Sequence, residues 1–185
     1  MKNKKQIINS LIWLFVAVTV IISDRAVKSY ILNNVNVGET FGSVKYIADF
    51  IYVQNTGAAF SILSDNTFIL SIISVIFCIA VIIYKIVKKP AHPLINLTLA
   101  LMFSGALGDA IDRISYNFVV DFISIKWFDF PVFNIADIAI VAGAVSAVIY
   151  VLFFDKDETA DTEEDGETDN GWEHTDSWYK RRASW

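Results

Sequence analysis

Four long stretches carry no charged side chain: residues 6–23, 66–84, 90–108 and 138–154. Each is close to the length a helix needs to cross roughly 30 Å of hydrocarbon at about 1.5 Å per residue, so four spanning helices are predicted. Between the first two, polar and apolar positions alternate from Tyr46 to Val53 and stop at a turn-forming Asn55-Thr56-Gly57. Shorter apolar runs at Phe118-Val119-Val120 and Ile123-Ser124-Ile125-Lys126-Trp127 follow the third stretch. The pattern reads as a membrane all-α bundle of four transmembrane helices, with a small extracytoplasmic β platform between helices one and two.

Charge orients this bundle. Lys2, Lys4 and Lys5 precede the first stretch, and Lys85, Lys88 and Lys89 lie between the second and third. The excess of lysine on cytoplasmic loops puts both clusters, and both termini, inside. Residues 24–65 and 111–134 then face outward. The first stretch has the basic start of a secretory signal, but Ile22-Ser23-Asp24-Arg25 offers no small-residue cleavage site, so it is expected to stay as a helix. A hydrophobic content of 55% and a mean hydropathy of +0.48 agree with a membrane class. The net charge of -5 comes from the end of the chain, where eleven of the 20 acidic residues fall between Asp155 and Asp176. Two parts are expected: a four-helix domain over residues 1–154, and an acidic, disordered cytoplasmic tail over 155–185. The aromatic and basic residues from Trp172 to Trp185 have a composition suited to anionic lipid headgroups. Cys78 is the single cysteine and lies in mid-span, which excludes a disulfide framework and a cysteine metal site.

Carboxylates gather at the outer ends of the spans. Asp24 is expected to close helix one, Asp109 and Asp112 to close helix three, and Asp137 to open helix four. Ionisable groups at membrane depth are costly, so such a set asks for a purpose beyond marking where helices leave the bilayer. Two carboxylates held together share one proton, which suits general acid–base hydrolysis of a peptide bond. A carboxylate cluster is also the chemistry that holds Mg²⁺ or Ca²⁺. His92 and His174 fall on the cytoplasmic side, so a Ser-His arrangement or a zinc site has no histidine outside.

The motifs resemble those of the lipoprotein signal peptidases (signal peptidase II), in the family's order from about Asp24 to Ile140. Asp24-Arg25-Ala26-Val27-Lys28 is similar to DQxTK, and Asn55-Thr56-Gly57-Ala58-Ala59-Phe60-Ser61 to NxGAAF. Gly105-Ala106-Leu107-Gly108-Asp109-Ala110-Ile111-Asp112-Arg113 is similar to GALGNxxDR. Val119-Val120-Asp121-Phe122 and Phe133-Asn134-Ile135-Ala136-Asp137-Ile138-Ala139-Ile140 match VVDF and FNxADxxI. The resemblance implies a catalytic pair, Asp121 and Asp137, in a membrane aspartic endopeptidase of the bacterial inner membrane. Its substrates would be diacylglyceryl-modified prolipoproteins, cut on the amino side of the lipidated cysteine. It further implies that Asn55, Gly57, Ala58, Asp109, Arg113 and Asn134 bind substrate or support the pair, and that Asp24, Lys28 and Asp112 give structural support. No cofactor and no metal are expected; lipids are expected partners and nucleic acid is not. Three departures stand out: Asp109 where the family usually has Asn, Arg25 and Val27 where the first motif has Gln and Thr, and an acidic tail longer than a typical member needs. Asp109 and Arg113, four apart on a helix, are placed to pair. A membrane scaffold whose acidic tail recruits a cytoplasmic partner is the non-enzymatic alternative.

Overall fold

The computed structural model describes residues 2–57 and 66–154; Ala58, the rest of the NxGAAF-like segment to Asp65, and the acidic tail lie outside the described residues. Among the described residues, four helices are long and apolar enough to cross a membrane: α1 (Lys2–Asn34), α2 (Thr67–Lys88), α3 (Pro93–Tyr116) and α4 (Ile135–Phe153). Their apolar side chains point outward as well as inward. Ile7, Leu11, Phe15 and Ile22 of α1, and Phe68, Ile76 and Ile83 of α2, are exposed on the protein surface. A helix apolar on its outer side fits hydrocarbon rather than water.

Strands β1 (Thr40–Val44), β2 (Ala48–Asn55) and β3 (Val119–Ile125) form one antiparallel sheet in the order β1-β2-β3. The third strand comes from the segment between α3 and α4, so the platform is not built between α1 and α2 alone, as the alternation there suggested. Val53 pairs with Asp121 and Asn55 with Val119, which aligns the end of β2 with the VVDF segment. Asn117, in the left-handed conformation at φ 63°, ends α3 and reverses the chain into β3.

The expected end of helix one at Asp24 is corrected: α1 continues through Asn34. The added turns are held by packing, because Ile31 is fully buried with Tyr52, Val120 and Phe122 of the sheet, and Val27, one turn earlier, packs against the same cluster. Sequence offered only charge at this point, and charge normally marks a helix leaving the membrane; here the charges are paired inside. Likewise α3 runs past Asp109 and Asp112 to Tyr116, so both acids lie within the helix.

Small residues on α3 let its neighbours close in. A Cβ at Gly105 would lie 2.4 Å from the Ala136 carbonyl oxygen of α4, and one at Gly108 would lie 2.9 Å from Asp24 Oδ2 of α1. Close backbone approach through small residues is the usual way helices pack in membranes, where the hydrophobic effect supplies no attraction between them. At the opposite end of the bundle, Pro93 starts α3, and the His92 Nδ1 accepts a hydrogen bond from the Leu94 N–H at 3.2 Å.

Candidate functional site

β3 carries Asp121 into the interior below the sheet, where the residue is 2% exposed. Two amides meet it. Asn55 Nδ2 donates to Asp121 Oδ2 at 2.8 Å, and Asn134 Nδ2 donates to Asp121 Oδ1 at 2.7 Å. Neither amide is free to turn over. The Gly57 N–H donates to Asn55 Oδ1 at 2.9 Å, a local turn, and the Asp137 N–H donates to Asn134 Oδ1 at 3.1 Å. Each asparagine therefore has its oxygen committed to backbone and its NH₂ aimed at Asp121.

Asp137 is placed by helix chemistry. Asn134 precedes α4 and Asp137 is its third residue, and the Asn134 N–H donates back to Asp137 Oδ2 at 3.0 Å. With the bond from the Asp137 N–H, this is a reciprocal capping box that fixes both side chains at the helix start. One residue, Asn134, thus ties the two carboxylates together.

Asp121 and Asp137 both line a cavity of about 460 Å³. Asn55, Asp109 and Arg113 supply its other polar groups, while Val119, Ile125, Phe130, Pro131, Val132, Phe133, Ile138, Val141 and Ala142 make an apolar wall. Burial, helped by the nearby Asp137 charge, pushes the Asp121 carboxyl up to about 7, against the pull of its hydrogen bonds from Asn55 and Asn134. Carboxyls whose environment separates them from the ordinary acid range are suited to proton transfer near neutral pH.

Arg113 leans toward the same cavity, with one amino group 3.5 Å from the Gly57 carbonyl oxygen and the other 3.7 Å from Asp109 Oδ2. Behind it lies a buried ionic cluster. The Lys28 ammonium, fully buried, sits 3.1 Å from Asp24 Oδ2, 3.1 Å from Asp109 Oδ1 and 3.0 Å from Asp112 Oδ2. Arg25 reaches Asp112 Oδ1 at 2.6 Å, Asp24 Oδ2 at 2.9 Å and the Gly108 carbonyl at 3.2 Å. Asp112 Oδ2 also accepts the Val120 N–H at 3.2 Å, fastening β3 to α3 beside Asp121.

The residues expected to matter fall into two adjoining groups. Asn55, Asp109, Arg113, Asp121 and Asp137 line the cavity, Gly57 and Asn134 touch them through Arg113 and Asp121, and Asp24, Lys28 and Asp112 form the cluster behind it. Asp109 belongs to both, since it is held more closely by Lys28 than by Arg113, the partner its helical spacing suggested. Ala58 lies outside the described residues. Among the described residues no three His, Cys, Asp or Glu side chains are grouped to hold a metal ion, and the acids that do converge have Lys28 between them. The apolar wall was missed in the sequence. Its signal was the run Phe128-Asp129-Phe130-Pro131-Val132-Phe133 before α4, fixed to β3 where the Phe133 carbonyl accepts the Ile123 N–H at 2.8 Å.

Known proteins resemble this chain over most of its length. A lipoprotein signal peptidase of Clostridium acetobutylicum is 37% identical over 145 residues, covering 77% of this chain and 94% of that protein. One of Lactobacillus gasseri is 34% identical over 153 residues, covering 83% of this chain and 97% of its own. Two solved bacterial membrane enzyme structures obtained by the in meso method superpose with TM-scores of 0.72 and 0.70, each at 33% identity, covering 76% and 77% of this chain and 87% and 93% of theirs. The family model for signal peptidase (SPase) II matches residues 16–153, so this four-helix membrane protein belongs to the signal peptidase II family.

Proposed function

We propose that the chain is an aspartic endopeptidase that removes the signal peptide from diacylglyceryl-modified prolipoproteins, cleaving on the amino side of the lipidated cysteine. The observation that carries this reading is that Asp121 and Asp137 line one cavity whose remaining wall is largely apolar. Such a cavity accepts a peptide bond whose neighbours remain in hydrocarbon.

The pair starts with one proton between its two carboxylates. The ionised member takes a proton from water as the water oxygen bonds to the scissile carbonyl carbon, and the protonated member donates a hydrogen bond to the carbonyl oxygen as charge builds there. When the C–N bond breaks, a proton passes to the leaving amine and the pair is left with one proton again. Asn55 and Asn134 hold Asp121 in register during these steps, and the capping box holds Asp137. Arg113, which lines the cavity, and the Gly57 carbonyl beside it are suited to gripping the substrate backbone. The proposed orientation has both termini in the cytoplasm and the sheet outside a bacterial inner membrane, with residues 1–154 forming the peptidase domain and 155–185 an accessory tail.

The test uses the full chain in detergent or vesicles and a diacylglyceryl-modified substrate. Asp121→Asn and Asp137→Asn should each reduce cleavage by about a thousandfold, while a strong chelator leaves the parent rate unchanged. Cleavage retained by both variants rules the mechanism out.

A further inference from the structure

Asp109 is an acid at a place where an acid is expensive. It is 5% exposed, it lies next to the cavity that holds Asp121 and Asp137, and it joins Asp24 and Asp112 around a single ammonium. Three buried carboxylates cannot be balanced by Lys28 alone. Arg25 supplies the second cation, taking Asp24 Oδ2 and Asp112 Oδ1, and Arg113 at 3.7 Å from Asp109 supplies the third.

We propose that Asp109 is a positioning residue for the carboxylate pair, acting through the Asn134 amide, and that Arg25 is the cation that lets a third acid stand there. Asn134 Nδ2 gives one hydrogen to Asp121 Oδ1 at 2.7 Å and the other to Asp109 Oδ1 at 3.2 Å. An ionised carboxylate only accepts, so Asp109 admits the NH₂ end of Asn134 and rejects the oxygen end. That choice points the Asn134 oxygen at the Asp137 N–H and the NH₂ at Asp121, the orientation that links the two carboxylates. The negative charge of Asp109 also adds to the forces raising the Asp121 carboxyl. The charged groups around Asp109 are Asp24, Arg25 and Lys28 of α1, Asp112 and Arg113 of α3, Asp121 of β3 and Asp137 of α4. β2 contributes the neutral amide of Asn55. Removing one charge from this group without its counterpart unbalances it.

The experiment has two arms, and only the first rests on the peptidase reading. With a fixed lipidated substrate, Asp109→Ala should lower kcat by about tenfold with KM little changed. Asp109→Asn, which keeps an acceptor oxygen, should recover turnover relative to the alanine variant while moving the whole pH profile to lower pH by about half a unit. A profile for Asp109→Asn that superimposes on the parent's overturns the role. In the second arm, thermal midpoints are compared for Arg25→Gln, Arg25→Lys, Asp109→Asn and the double variant R25Q/D109N. Arg25→Gln should lower the midpoint by about 5 °C or more, Arg25→Lys by less, and the double variant should regain at least half of the loss. Losses that simply add, or a double variant that fails to fold along with Arg25→Gln, overturn the pairing. A parent chain that cleaves nothing sinks the peptidase reading and the Asp109 role with it, while the midpoints still decide the role of Arg25.

Discussion

Asp121 meets opposite demands at the level of single atoms. Two fixed amides favour its ionised form, whereas burial and neighbouring charge favour the proton, and the balance near 7 leaves the group able to change state at physiological pH. If the proposed mechanism holds and Asp121 shares a proton with Asp137, its loss should make kcat fall as pH rises above about 7; a rate flat to pH 9 in a buffered micellar assay contradicts this. The sign for stability follows from the same shift. The folded chain keeps the Asp121 proton up to about 7 while a carboxyl in the unfolded chain releases it near 3.8, so this group's contribution to stability declines as pH rises through that interval. The two asparagines should differ in what they hold. Asn134→Ala removes a helix cap as well as the donor to Asp121, costing about 1 kcal/mol of stability besides activity, while Asn55→Ala should lower kcat with less change in the thermal midpoint. The catalytic candidates were legible as motif residues, and Asn134 within FNxAD could be named from sequence. Its function as the link between two carboxylates depends on a capping geometry and a strand register that only the folded chain brings together.

The helices owe their packing to α3, whose small residues admit α1 on one side and α4 on the other. Gly105→Leu should therefore separate α3 from α4, shift Asn134 and Asp137 away from Asp121, and abolish cleavage while leaving the protein in the membrane. Overpacking a tight contact typically costs about 1–3 kcal/mol, which a thermal-stability assay in detergent resolves. Lys28→Met tests the other interface. It leaves Asp24, Asp109 and Asp112 with only Arg25 and the more distant Arg113, and loss of one partner from a buried ionic group costs about 3–5 kcal/mol, so folded yield should fall sharply. The number and rough location of the helices were readable because uncharged runs announce themselves. The ends of α1 and α3 were not, since the residues that extend them are charged and become tolerable only when Arg25, Lys28 and the three acids meet across two helices. The runs that become β3 were visible as short apolar stretches, but their partner was not, because pairing across the 63 residues between Val119 and its neighbours in β2 follows from tertiary register rather than local alternation.

For the molecule as a whole, orientation is the property that labelling decides. With Cys78 replaced by Ala, a cysteine at Lys88 should react only from the cytoplasmic side and one at Asp129 only from the outside, if the lysine clusters orient the bundle as proposed. Both starting positions are exposed, so access is governed by the bilayer and not by burial. The length of α1 adds a further constraint. At about 1.5 Å per residue its 33 residues extend well beyond roughly 30 Å of hydrocarbon, and its far turns carry the sheet on Val27 and Ile31. The first helix is therefore a ruler as well as an anchor. On the proposed peptidase function it would set the height at which Asp121 stands relative to the membrane core, and a lipidated substrate would then be selected in part by how far along its own chain the cleavable bond lies from the lipid.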